Sequence, residues 1–209
     1  MNYTVTPAFA IPLYKSRIND IDPITLNRFL NFEWETVEGS YTHKETLERH
    51  ILDRPEFAKI KKEVMDHVNK YLYEVIGVDN SLEWYITTSW VNKAEPGEYH
   101  GAHFHSNSLI SGVFYLKVNP KSGAICFHKA VDHINVFPNL ICVEYGPHTD
   151  YNAKTLATTP QQFDILLFPS ILTHSVLANE SNEDRYSLAF NVFCKGTVGK
   201  GGNSELTIS

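Results

Sequence analysis

The sequence predicts a mainly β fold, a sandwich or open barrel, with helices gathered ahead of the strands. Three observations predict it. After Gly77 the spacing of apolar residues changes from three-and-four to two. Turn-rich stretches then punctuate the chain at Glu95-Pro96-Gly97, Asn119-Pro120-Lys121-Ser122-Gly123, Gly146-Pro147 and Glu180-Ser181-Asn182-Glu183-Asp184. Helical periodicity stays before Gly77 instead of alternating with strands, which argues against a parallel α/β fold. With 209 residues, 43% of them hydrophobic, the chain can build one domain around one core. We read 1–80 as an extended segment and helices packing on a sheet, 81–195 as the β core, and 196–209 as a flexible, glycine-rich tail.

Thr4 to Ser16 is apolar but holds Pro7 and Pro12, so it reads as an edge segment. Asn19-Asp20-Ile21-Asp22-Pro23 caps a helix running to about Asn31. Phe32 to Lys44 shows no period and reads as loop, and Leu47 to Leu52 as a short helical turn. Pro55 to Ile76 is the strongest helix: Phe57, Ile60, Val64, Val68 and Leu72 recur on one face, and Gly77 ends it. His67 falls near its polar flank and is expected in solvent. Strands are expected over Leu82–Val91, Leu109–Val118, Ala124–Phe127, Leu140–Tyr145, Phe163–Phe168, Ile171–Leu177 and Tyr186–Phe193.

Composition narrows the function. A net charge of −6 and a pI near 5.9 argue against nucleic acid as a partner. No apolar run reaches the ~18 residues that a membrane span needs. The start of the chain lacks the layout of a secretory signal. Cys126, Cys142 and Cys194 are an odd number at wide spacings, which fits neither a disulfide framework nor a zinc ribbon. A reducing, cytoplasmic setting follows as the expectation.

The stretch Tyr99-His100-Gly101-Ala102-His103-Phe104-His105 concentrates three histidines. In an extended chain, residues two apart share a side. His103 and His105 should therefore face together, and His100 should face away. His174, in a later strand, is the natural third ligand of an ion that imidazole suits. Any one of these histidines alone is ordinarily a hydrogen-bonded core or surface residue. The usual non-haem iron set is two histidines and a carboxylate. Here His105 stands where the acid would be; either it ligates, or water fills that position. His128, His133 and His148, in or near turns, read as solvated.

Eleven residues beyond His174, Arg185 opens a strand whose alternate positions are Ser187, Ala189 and Asn191, opposite the apolar Tyr186, Leu188 and Phe190. A hairpin between the His174 and Arg185 strands would bring the two residues to nearby levels of one cavity. A guanidinium there could grip a carboxylate with two parallel hydrogen bonds, and Ser187 could add a hydroxyl. The ordinary alternative is a surface ion pair with Glu183 or Asp184.

Taken together, Trp90-Val91-Asn92, His103-Phe104-His105, Ser111-Gly112-Val113-Phe114-Tyr115-Leu116, Phe168 through Val176 and Arg185 through Asn191 resemble the 2-oxoglutarate-dependent Fe(II) oxygenases, in particular a small bacterial and phage group. The likeness spans about residues 84 to 194. It implies a double-stranded β-helix, a cupin-like jelly roll. It implies Fe(II) on His103, His105 and His174, with 2-oxoglutarate held by Arg185. Tyr115, Asn92 and Asn107 are further candidates for cosubstrate or substrate contacts. The implied reaction uses O2 to couple decarboxylation of 2-oxoglutarate to hydroxylation of a C–H bond.

Two other functions fit the residues. A cupin-type dioxygenase would use three histidines without a 2-oxo acid and turn Arg185 on its substrate. A non-catalytic jelly-roll module would bind an anionic metabolite or a protein. Exposed edge strands would allow a homodimer.

Overall fold

The computed structural model describes residues 3–6, 10–19, 21–37, 43–129, 144, 146–147, 149 and 151–209. The strand expected over Leu140–Tyr145 falls almost wholly outside these, as do Cys142, His133 and His148.

The N-terminal segment forms β1 (Tyr14–Arg17), which pairs with β9 at the edge of a sheet, as its prolines suggested. Helix α1 (Pro23–Leu30) starts at Asp22, whose carboxylate accepts hydrogen bonds from the backbone N–H groups of Ile24 and Thr25 at 3.0 and 2.9 Å. Where loop was expected, Trp34–Thr36 (β2) and Lys44–Thr46 (β3) pair antiparallel, and β3 continues onto β4. Three-residue strands are too short to show a period; the neighbouring strand supplies their hydrogen bonds.

The long helix is a composite. A 3-10 turn at Pro55–Phe57 leads into α2 (Ala58–Lys70), which widens into a π turn at Tyr71–Ile76 and stops at Gly77, φ 79°. A further 3-10 turn covers Ile51–Asp53. His67 is not solvated as expected: its Nδ1 lies 2.7 Å from the hydroxyl of Tyr14, a residue brought over by β1.

The strands that follow are β4 (Glu83–Ala94), β5 (His100–His103), β6 (Ile110–Lys117), β7 (Ile125–His128), β8 (Thr155–Thr158), β9 (Asp164–Pro169), β10 (His174–Val176), β11 (Arg185–Val198) and β12 (Leu206–Ile208). Among the described residues they form two antiparallel sheets. The larger runs β1-β9-β6-β11-β4-β3-β2, with β12 on β11; the smaller runs β5-β10-β7-β8. This is a double-stranded β-helix. The tail is not loose: β12 folds back on β11, with Gly196 opposite Ile208. Among the described residues, no helix is long and apolar enough to cross a membrane.

Alternation along the strands sorts the large sheet into two faces. Its outer face, with Phe114, Ile165, Leu167, Leu188, Phe190 and Val192, packs on the helical stripe of Ile60, Val64 and Val68. Its inner face sends Tyr115, Leu166 and Phe168 against Ile125 and Phe127 of the small sheet. Gly112 lies opposite Phe190, and a Cβ there would sit 2.1 Å from the Phe190 ring. The glycine in Ser111-Gly112-Val113 is thus the space into which the aromatic of Phe190-Asn191 fits. Asn191 completes the match by accepting a 2.9 Å hydrogen bond from Ser111.

Two connections depart from expectation. The sequence reads Lys117 to Gly123 as a hairpin turn and places His174 and Arg185 on paired strands. Instead both connections cross between the sheets: β6 and β11 belong to the large one, β7 and β10 to the small one. Buried Asn179 holds the second crossing, its amide donating to the carbonyls of Ala94 and Glu183 at 2.9 and 2.8 Å. His174 and Arg185 therefore project into the cavity from opposite walls.

Candidate metal and anion site

The cavity between the sheets is lined by Trp90, Asn92, Ser111, Tyr115, Arg185 and Ser187 from the large sheet, and by His100, His103 and His174 from the small one, with His105 just beyond β5. On each large-sheet strand the inward residues are two apart, as period-two reading requires.

His103 and His174 are register partners across β5 and β10. His105 follows β5, its backbone N–H tied to the carbonyl of Ser170 at 3.0 Å. One ring nitrogen from each of His103, His105 and His174 lies within 4.8 Å of the others. The Nδ1 atoms of His103 and His174 donate to the carbonyls of Gly101 and Leu172, both at 2.9 Å. That leaves each Nε2 as a lone pair, the arrangement by which a backbone acceptor orients an imidazole ligand. The Nε2 atoms of His105 and His174 stand 3.4 Å apart. Nitrogens each ~2.1 Å from one ion are separated by about 3 to 3.4 Å, so this spacing fits a shared metal.

Burial, reinforced by the neighbouring imidazoles, pulls His105 down to about 4 and His174 to about 3; burial likewise lowers His103. All three are neutral near pH 7, the form that binds a metal.

His100 corrects the sequence reading. Its ring does not face away; it stacks on His103 at 4.1 Å and 12° and lines the cavity. The cause is an irregularity in pairing. His103 opposes His174 but His100 opposes Val176, so three steps on β5 match two on β10. The extra residue, a bulge, reverses side-chain parity.

Arg185 is 4% exposed, which rules out the surface ion pair. Lys117 and Lys93 take Glu183 and Asp184 instead, at 3.4 and 3.1 Å. Among the described residues the guanidinium makes one hydrogen bond, from Nη1 to the carbonyl of Ser122 at 2.7 Å. A guanidinium has five N–H donors. Burial pulls its pKa down, while Tyr115 and Glu98 act the other way. Ser187 opposes Asn92 on one side and Tyr115 on the other, so three expected residues form one cross-strand row beside Arg185. Burial pushes the Tyr115 hydroxyl up, keeping it a neutral donor. Asn107 does not join them: it is exposed, at φ 55°, in the turn before β6. His128 is also not a solvated loop residue; it ends β7, 2.8 Å from the Ser175 hydroxyl.

Sequence reasoning missed Trp90, which lines the cavity and donates to Asn92 at 3.1 Å, although it stood in a quoted motif. It also missed His43, which is 2% exposed, with its ring 4.3 Å from that of His100, and Glu45, which accepts from His43 at 3.1 Å. No local signal marked either residue.

Several solved structures share the fold. A non-heme alpha ketoglutarate dependent carbocyclase from nogalamycin biosynthesis, SnoK, matches at TM-score 0.60 and 12% identity, over 91% of this chain and 85% of that one. A Pseudomonas putida prolyl-4-hydroxylase matches at 0.57 and 13%, over 87% and 92%. HygX from Streptomyces hygroscopicus, solved with nickel, 2-oxoglutarate and hygromycin B bound, matches at 0.56 and 13%, over 87% and 82%. No curated protein matches by sequence. Residues 88–191 match the family model described as "Putative 2OG-Fe(II) oxygenase". That interval runs from within β4 to the middle of β11 and takes in His103, His105, His174 and Arg185. By this match, residues 88–191 of the chain are similar to the 2OG-Fe(II) oxygenase family.

Proposed function

We propose that the protein is an Fe(II)- and 2-oxoglutarate-dependent oxygenase that oxidises a C–H bond of its substrate. The observation that carries this reading is the meeting of three neutral imidazoles in a cavity whose opposite wall presents a buried arginine. His103, His105 and His174 hold the metal. Arg185 takes the distal carboxylate of 2-oxoglutarate, with Ser187 beside it. Tyr115 and Asn92, in the same row, complete the polar wall.

When bound, Fe(II) and 2-oxoglutarate supply the chemistry: O2 and the 2-oxo acid become succinate, carbon dioxide and an oxygen atom inserted into C–H. The chain does the rest. Arg185, kept charged and dry, fixes one end of an extended dicarboxylate by a paired hydrogen bond. The carbonyls of Gly101 and Leu172 hold the two facing imidazoles in a ligating orientation. The close-packed Phe127 and Phe168 behind His174, with ring centroids 6.3 and 4.7 Å away, exclude water from that side. We further propose that the whole chain acts as one domain, with residues before β4 buttressing the large sheet.

The test is direct. With Fe(II) supplied, the protein should release succinate from 2-oxoglutarate in an oxygen-dependent way, and should bind 2-oxoglutarate without oxygen. Failure of both sinks the proposal. The all-imidazole ligand set also suits a dioxygenase that uses no 2-oxo acid; under that reading, Arg185→Ala would leave 2-oxoglutarate titrations unchanged.

A further inference from the structure

The β2–β3 hairpin lies outside the family-matched residues, yet it reaches the site. Glu45 opposes Asn92, and Asn92 opposes Ser187, so Glu45 extends the row of cavity residues by one strand. Directly opposed residues of a sheet share a face, which turns Glu45 toward the cavity side. Its carboxylate accepts a hydrogen bond from Nε2 of His43 at 3.1 Å and pairs with Arg49 at 2.9 Å. The His43 ring lies 4.3 Å from that of His100, and the His100 ring 4.1 Å from that of His103. A column of side chains therefore runs from Glu45 through His43 and His100 to His103.

Such a column is costly to bury, and apolar residues would fill the space at less expense. Charge gives it a purpose. Arg49 also pairs with Glu35, so two carboxylates meet one guanidinium, and the group carries one net negative charge. Burial alone would raise the Glu45 pKa, but His43 and Arg49 outweigh it and hold the carboxyl below its usual range. Meanwhile, three neutral imidazoles leave a bound dication with its whole charge uncompensated.

We propose that Glu45 and His43 are positioning residues for the metal site: their column fixes the plane of the His103 imidazole, and the Glu35–Arg49–Glu45 group supplies, from outside the ligand set, the negative charge that the set lacks. This rests on the metal-site reading above. The test uses the full chain, with Ni(II) affinity and the visible spectrum of bound Co(II) as readouts. Glu45→Gln should weaken Ni(II) binding about tenfold or more and move the Co(II) bands, while Glu45→Asp returns affinity to within about threefold of the unsubstituted protein. Glu35→Gln, on a half-exposed side chain outside the cavity lining, keeps the fold even if Glu45→Gln does not. It should weaken Ni(II) binding about threefold at low salt and less at high salt. Folded variants that bind Ni(II) as tightly as the unsubstituted protein, with unmoved Co(II) bands, overturn the inference alone. An unsubstituted protein that binds neither ion overturns the metal site itself.

Discussion

His103 and His174, seventy-one residues apart in the chain, are cross-strand partners whose ring centroids lie 4.2 Å apart. Each ring is pinned by a backbone carbonyl two residues before it. His105 closes the triangle, its ring parallel to that of His174 to within 3° at 5.2 Å and 5.1 Å from that of His103. Removing a pinned ligand should cost more than removing an outer partner. We expect His174→Ala and His103→Ala to lose Ni(II) affinity by more than the ~10–100-fold typical of outer-partner substitutions. Isothermal titration measures it, and a loss under tenfold in both variants would contradict the ligand assignment.

The same histidines set a pH dependence for the metal-free protein. Their folded-state values lie below the ordinary 6.5, at about 4 for His105 and about 3 for His174. Below pH 6.5 the unfolded chain therefore binds protons that the native chain does not. Stability is full above 6.5 and is lost progressively as pH falls toward 4 and then 3. Thermal melting of metal-free protein should show a falling midpoint across that window. In His105→Ala/His174→Ala the fall should be shallower.

Arg185 has two tasks, which substitutions should separate. Arg185→Lys keeps the charge but loses the fork, and should weaken 2-oxoglutarate binding by about 1.5–3 kcal/mol, with Ni(II) affinity unchanged. Arg185→Ala should weaken it further. It should also destabilise the fold by about 1–3 kcal/mol, because the Ser122 carbonyl loses its buried donor. Ser187→Ala should cost about 1 kcal/mol of 2-oxoglutarate affinity. Cosubstrate titration and urea unfolding read the two effects independently.

Two glycines make a packing prediction. Gly112→Ala places a methyl group 2.1 Å from the Phe190 ring and 2.8 Å from Leu167, and should destabilise by about 1–3 kcal/mol. Adding Phe190→Leu should recover part of that loss, since the two positions share one space. Gly123→Ala has no such remedy. Its φ is +92° and its new methyl would meet the Leu177 carbonyl at 2.2 Å, backbone that cannot rotate away. Chemical denaturation of the single and double variants checks both.

Much of this architecture was legible in the chain. The stripe Ile60-Val64-Val68 announced a helix that needs a sheet, and alternation along residues 185–193 announced which side chains face in. Local repetition suffices there because burial selects one face of a regular element. That His103, His105 and His174 come together was also legible, from motifs and spacing, but the cross-strand pairing of His103 with His174 was not. Short elements escaped: β2, β3 and β12 have three residues each, too few for any period, and exist because a neighbouring strand completes their hydrogen bonds.

By itself, then, the sequence determined the order of the longer elements, the inward-facing set on β11, and the coincidence of histidines with an arginine. Only the tertiary structure decided that His100 turns inward, that Arg185 and His174 face each other from different sheets, and that Glu45 and His43 stand behind the site. The reason is physical. Periodicity is a property of neighbouring residues, whereas register, bulges and sheet crossings depend on which distant strand a segment pairs with, and one extra residue in that pairing reverses every side chain beyond it.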